Sequence, residues 1–355
     1  MEELAIDTGK LTDEFFKTHV YPFCGHDRKE VLIGPAFGTD VSIVQLPNGY
    51  EMALTSDPLS YLPALGLEES AWLSVQLMAN DMATTGVAPQ YAQLVLNLPN
   101  YISDSSFKAY WKHIHQFCEQ LGVAITGGHT ARYEGLNSTI SGGGTMIATA
   151  PDGTMICSQM ARPGDRILVT KEAALVSTAI LARSFPQTVK SACGIDIYQQ
   201  ACELFYQTSS LQDGLIAASL NTPERKVVHA MHDVTECGVL GAIYEMAIAS
   251  GCGAEVETNR IPAGEAQQKV CMLFDLDPLL VVGAGSMILA VSEDAEQAVI
   301  EKLTKAGIAT TSVGRFTNQK DGLTQVDGDQ KKPLTHPGTD PYWKAFFDAF
   351  NNGLK

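Results

Sequence analysis

Apolar and polar positions along this chain follow two periods, near two and near 3.6 residues, and the switches between them lay out its elements. Val41 to Leu46 and Tyr50 to Ser56 are strand-like runs around Pro47-Asn48-Gly49, which predicts a hairpin. Residues 69 to 85 carry a helical pattern ended by Gly86, and Tyr91 to Leu98 read as a buried strand ended by Pro99. Between Ser105 and Leu121, Phe107, Trp111, Ile114, Cys118 and Leu121 recur at helical spacing and mark a core face, with Gly122 at the stop. Val123 to Thr126 predicts a short strand running into a glycine turn, Gly127-Gly128-His129-Thr130. Ile140 to Ala150 predicts a strand interrupted by Gly142-Gly143-Gly144.

Turn residues thicken near Pro151-Asp152-Gly153 and Ala161-Arg162-Pro163-Gly164-Asp165, which places a domain boundary there. A second alternating unit starts at Arg166-Ile167-Leu168-Val169-Thr170. Its predicted elements are helices near 172–184 and 195–220, a strand at 226–231, a helix at 236–249 stopped by Gly251, a strand from Ser286 to Val291, a helix around 294–305 and a strand from Ala309 to Phe316. Residues 317–340 are polar and read as a loop, and a helix from Pro341 to Phe350 closes the chain. The expected organisation is an α/β (α+β) chain in three parts, 1–160, 161–316 and 317–355.

At 355 residues with 45% hydrophobic content, the chain is long enough for two domains with their own cores. Its net charge of -16, with only 24 Lys and Arg, argues against binding a nucleic-acid backbone. Eight cysteines occur without any C-x-x-C, so neither a zinc ribbon nor a thioredoxin site is indicated. No basic-then-apolar amino-terminal leader and no apolar stretch of membrane-spanning length is seen, and a cytoplasmic protein is expected.

Four aspartates change the picture. Asp40, Asp57, Asp81 and Asp233 each stand against an apolar run or a glycine turn, where an element ends in the core. Two unit charges ~4 Å apart at an effective dielectric of ~20 repel by roughly 4 kcal/mol, so a cation is needed to gather them. Oxygen-only clusters suit a hard divalent ion, and Mg2+ is commonly held by a few carboxylates plus waters and substrate phosphates. Asp81 continues the stripe Leu73, Leu77, and Asn80 beside it supplies a second oxygen. The backbone of Gly127-Gly128 can approach an anion, with His129 as a candidate phosphate contact or general acid/base and Thr130 next to it. Gly283-Ala284-Gly285 lacks the third glycine of a dinucleotide fingerprint and reads as a bulge, and no Walker A loop occurs. His229 and His232, three apart in a strand, fall on opposite faces and read as packing residues rather than a zinc pair.

In combination, Gly38-Thr39-Asp40, Thr55-Ser56-Asp57, Asn80-Asp81-Met82-Ala83, Gly127-Gly128-His129-Thr130 and His232-Asp233-Val234-Thr235, with Gly238, Leu240 and Glu245-Met246-Ala247 after it, resemble the aminoimidazole ribonucleotide (AIR) synthetase superfamily. The resemblance lies in its PurM-like branch near the hydrogenase maturation factor HypE, from Gly9-Lys10-Leu11 to about residue 316. It implies a two-domain fold whose amino-terminal domain pairs with a twofold mate through a barrel-like sheet core, followed by a carboxyl-terminal α/β sandwich domain. It also implies ATP and Mg2+ in the cleft and Asp40, Asp57 and Asp81 as metal ligands, with Asp81 a catalytic residue as well; His129, where many members of the superfamily carry Asp or Glu, is a catalytic candidate by its place beside the aspartates. Asn80, Gly127, Gly128, Thr130 and Asp233 would then contact the nucleotide.

The chemistry implied is ATP-dependent phosphorylation of a small acceptor with release of ADP and phosphate, by a homodimer without nucleic-acid or membrane partners. Rival expectations are AIR synthesis itself (a phosphoribosylformylglycinamidine cyclo-ligase), HypE-type dehydration, and a nucleotide-binding scaffold dimer that does not turn over. HypE's cysteine-bearing tail has no counterpart in Asn351-Asn352-Gly353-Leu354-Lys355, and its Asp-Pro-Thr-Arg-Gly-Gly stands against Asp233-Val234-Thr235-Glu236-Cys237-Gly238. HypE's own reaction is therefore not expected.

Overall fold

The computed structural model describes residues 9–136 and 140–355. After a short helix α1 (Asp13–His19) and strand β1 (Val31–Ile33), the hairpin β2 (Ser42–Leu46) and β3 (Tyr50–Ser60) forms as its turn residues predict. Asn48 and Gly49 both take positive φ, 67° and 76°, which suits the right-handed twist of the flanking strands. Helix α2 (Leu67–Ala83), strand β4 (Tyr91–Pro99), helix α3 (Asp104–Gln120) and strands β5 (Ala124–Tyr133) and β6 (Ser141–Pro151) complete the first unit. Its sheet has the order β1-β2-β3-β6-β4-β5 and is open within one chain, not a closed barrel. Ala92, Leu94 and Leu96 of β4 are buried in the core that α2 and α3 share, while Tyr91, Gln93 and Val95 on the other face stay exposed.

Two glycine features depart from expectation. Gly127-Gly128-His129-Thr130 is not a turn, because β5 runs straight through it, parallel to β4. Gly142-Gly143-Gly144 does not interrupt β6, which pairs with β3 without a break from Ser141 to Pro151. These glycines serve close approach. A Cβ on Gly128 (φ 143°) would lie 1.8 Å from the Leu94 carbonyl oxygen, and one on Gly144 would lie 2.6 Å from Met78 Sδ.

The second unit comprises β7 (Arg166–Thr170), α4 (Leu175–Ser184), α5 (Pro186–Cys193), α6 (Ile195–Glu203), α7 (Leu211–Ala218), β8 (Val228–Asp233), α8 (Gly238–Ala249) and β9 (Cys252–Glu257). It continues with α9 (Glu265–Leu273), β10 (Met287–Val291), α10 (Glu296–Lys305), β11 (Thr310–Asn318), β12 (Leu323–Asp327), β13 (Gln330–Pro333) and α11 (Pro341–Asn351). The sheet order is β13-β12-β9-β11-β7-β10-β8, antiparallel except for β12 on β9. Its central strands are continuous apolar runs because both faces are covered. Leu168 and Leu289 join the core shared with α2, while Ile167, Val169, Ile288 and Ala290 pack with Val239, Ile243 and Met246 of α8.

The helix expected over 195–220 is broken, since Asn80 Nδ2 donates to Thr208 O, Ser210 N donates to Asn80 Oδ1, and Lys171 Nζ donates to Ser209 O. Backbone groups claimed by these side chains are unavailable to a helix. Residues 317–340 are not a loop throughout. The β12–β13 hairpin extends the sheet at its edge, where exposure leaves strand residues polar and hides them from a hydropathy pattern. Strand β9 and helix α9 also went unanticipated. Among the described residues no helix is long and apolar enough to cross a membrane.

The two adjacent glycines of β5 allow a sharp comparison. Gly128→Ala must drive a methyl group into the Leu94 carbonyl and should lower stability by about 3 kcal/mol or more, whereas Gly127→Ala, with no atom within 4 Å of its Cβ, should stay within about 1 kcal/mol. Urea denaturation of both variants checks this, and equal losses would mean that the β4–β5 approach is misdescribed.

Candidate functional site

Four separate elements bring the aspartates together. Gly38 (φ 70°) lets the loop before β2 press on α8, for a Cβ there would lie 2.5 Å from Glu245 O, and this sets Asp40 against the end of β8. Asp40 Oδ2 accepts from Ser158 Oγ at 2.7 Å and lies 2.8 Å from His232 Nδ1. Asp57 lies on β3 opposite Gly144. Asp81, in the last turn of α2, accepts a 2.6 Å hydrogen bond from Thr55 Oγ1. Asp233 ends β8 only 2% exposed, and its Oδ2 has no hydrogen-bond partner.

Burial pushes Asp233 up to about 8, with Asp40 and Asp57 adding to the rise; it pushes Asp57 up to about 6, with Glu236 adding to it; and it holds Asp81 well above the carboxylate range beside Asp233, Asp57 and Asp40. A second tier of charge lies behind them. Burial would lower the His232 imidazole, but Asp40 on one side and Glu245, 3.3 Å from Nε2, on the other override it and hold the ring protonated. Burial would likewise raise Glu245, yet His232, His336 and Lys10 pull it well below the usual range. The half-exposed Lys10 ammonium lies 3.6 Å from Glu245 Oε2 and faces Asp40 and Asp233.

Ligand atoms of Asp40, His232 and Asp233 lie within 4.8 Å of one another. His232 directs both ring nitrogens at carboxylates, so it acts as a proton-bearing counter-ion and leaves oxygen as the donor type of the cluster. The unpartnered Asp233 Oδ2 and an all-oxygen set fit a hard divalent cation such as Mg2+. His232 is thus not a packing residue. His229, three residues away, belongs elsewhere, with Nδ1 2.8 Å from Asp165 Oδ1.

The remaining sequence candidates are placed differently. Asn80 is fully buried and spends its amide on the Thr208 and Ser210 backbone, so it joins the two units. Gly127, Gly128, His129 and Thr130 are exposed on β5, and among the described residues His129 bonds to none of the aspartates. Lys10, Glu245, His232 and His336 are the residues that pattern reading missed. A signal was present for Glu245, the one charged residue in the otherwise apolar helix α8. Asp57 also lines an open cavity of about 460 Å³ with Gln93, Val95 and Gly142 on the uncovered face of the first sheet.

The AIR synthase related protein N-terminal domain matches residues 38–149, and the AIR synthase related protein C-terminal domain matches residues 162–327. The chain belongs to the AIR synthase related family. It is 26% identical to a hydrogenase expression/formation protein of Methanocaldococcus jannaschii over 254 residues, 71% of each chain. It is 24% identical to the selenide, water dikinase of the same organism over 316 residues, covering 85% of this chain and 86% of that protein. A crystal structure of the hydrogenase maturation protein HypE in complex with ATP superposes with a TM-score of 0.65 at 17% identity, covering 94% of each chain. The aspartates at 40, 57 and 81 fall inside the first matched domain and Asp233 inside the second, so the site of this AIR synthase related chain lies where its two domains meet.

Its charge pattern fixes the sign of a pH response. Asp57 and Asp233 keep protons in the fold up to about 6 and about 8 but lose them near 3.8 when unfolded, so between roughly pH 4 and 8 the folded state binds more protons. Metal-free stability should therefore fall as pH rises through that window, and the loss of the His232 proton at higher pH has the same sign. Melting temperatures in EDTA should drop from pH 5 to pH 8, and Asp233→Asn should flatten the slope. A rising profile would contradict the assigned protonation.

Proposed function

We propose that the chain is an ATP- and Mg2+-dependent enzyme that activates a small acceptor by phosphorylation, with release of ADP and phosphate. The observation that carries this reading is the buried, unpartnered Oδ2 of Asp233 close to Asp40, with Asp81 near enough to feel the charges of Asp233, Asp57 and Asp40. Asp40, Asp57, Asp81 and Asp233 would hold Mg2+, which when bound neutralises phosphate charge. Lys10 brings a cation to the same region, and Asn80 keeps α2 fixed against the second unit so that carboxylates from both approach one another. Catalysis would then rest on positioning and electrostatics, with no covalent nucleophile from the protein. The ATP complex of HypE supports a nucleotide in this fold, and the dikinase name of a relative supports phosphoryl transfer. His129, Gly127, Gly128 and Thr130 stay candidates for phosphate contact on the exposed strand β5.

A homodimer completes the reading, because one face of the first sheet is uncovered and exposes Tyr91, Val95 and Tyr133. Light scattering at micromolar concentration should give the mass of two chains. A mass of one chain would count against a twofold sheet core.

ATP at ~100 times its dissociation constant should stabilise the protein by ~2.7 kcal/mol with Mg2+ present and far less with EDTA. Asp81→Asn should abolish most of that difference. Equal thermal shifts with and without Mg2+ would remove the basis for the metal site. Turnover separates enzyme from binding scaffold, since ADP should accumulate when a screened acceptor is supplied and not otherwise.

A further inference from the structure

The matched domains end at residue 327, yet the segment that follows returns to the site. Asp340, only 1% exposed, caps α11 through Tyr342 N and also accepts from Cys237 N, the residue at the start of α8. Next to Cys237, Glu236 is held from two sides. Trp343 Nε1 donates to its Oε1 at 3.1 Å, and the backbone N–H of Lys10 donates to its Oε2 at 3.0 Å. Gly9 (φ 123°) passes against the same indole, where a Cβ would lie 2.8 Å from Trp343 Cδ1. His336, from the same segment, sets Nε2 3.2 Å from Glu245 Oε1 and packs its ring on Phe37 and Tyr244. His336, Glu236, Cys237, Glu245 and Phe37, together with Lys10, wall a cavity of about 280 Å³.

We propose that residues 334–351 form a strap that completes the candidate nucleotide site, with Trp343 and Glu236 as positioning residues for Lys10. The chain of contacts is direct as far as Glu245: indole N–H to Glu236, Glu236 to the Lys10 backbone, and the Lys10 ammonium to Glu245, with Asp40 and Asp233 within electrostatic range beyond. Among the described residues, α1 behind Lys10 buries no side chain, so without Glu236 the ammonium would sample a wider volume. The strap converts a loose cation into a fixed one. What Lys10 does once fixed rests on the reading above, that Mg-ATP occupies the cluster.

Two measurements on the full chain separate the strap from that reading. Hydrogen exchange of the Lys10 amide, followed in the peptide that contains it, needs no ligand and should quicken by about tenfold in Trp343→Phe, which keeps the ring and removes the donor. Glu236→Gln should act alike, and serves if the first variant folds poorly. The apparent affinity for Mg-ATP should weaken by about tenfold in Trp343→Phe and in Lys10→Ala, and the double variant should be no weaker than Lys10→Ala alone. Unchanged exchange in both variants overturns the strap whatever the nucleotide does. Independent, multiplying losses in the double variant overturn the positioning of Lys10. A wild-type chain that ignores Mg-ATP but shows the exchange effect would refute the nucleotide reading and leave the strap standing.

Discussion

Four carboxyl groups drawn from a loop, two strands and a helix cannot crowd together at the edge of the core as free anions. The structure answers this constraint in two layers. Asp81 and Asp233 hold protons, Asp57 gives its proton up at about 6, and Asp40 lies against the protonated ring of His232, which Glu245 in turn balances. Such an arrangement is poised rather than relaxed, because a divalent cation can release protons from the first layer without disturbing the second. The positions of Gly38, of the ends of β8 and α2, and of Lys10 all follow from the need to bring these groups within reach of one another.

How much of this was legible in the sequence depended on whether a residue broke its local pattern. Asp81 at the end of an apolar helical stripe and Asp233 at the end of an apolar strand stood out because an ion in such a place needs a reason. His232 did not, since a histidine in a strand is compatible with ordinary packing and its partners are 192 residues upstream and 13 downstream. The bonds of Asn80 were hidden for the complementary reason. Its neighbour Asp81 suggested a shared ligand role, but the two side chains point to different tasks, one into the cluster and one into the second unit.

Elements were read well where one period held over many residues, as in α2, α3, β4 and β8, and poorly where backbone partners lay far away. Gly127-Gly128 looked like a turn because nothing local reveals that Leu94 passes close by. The 195–220 helix broke because distant side chains claim its backbone, and the β12–β13 hairpin is polar because it is an edge. Alternation alone carries no information about such tertiary claims.

Helix α2 belongs to the first sheet by sequence, yet its apolar residues share one continuous core with α7, β8 and β10 of the second, and Trp72, Asn80 and Glu69 reach across to Thr208, Ser210 and Arg183. The domain boundary written in the chain is therefore not a boundary in cooperativity. Loosening the second unit strips one side of α2 bare, and the first unit would melt with it as a single folding unit, so that the clustered carboxylates are assembled or dispersed all at once.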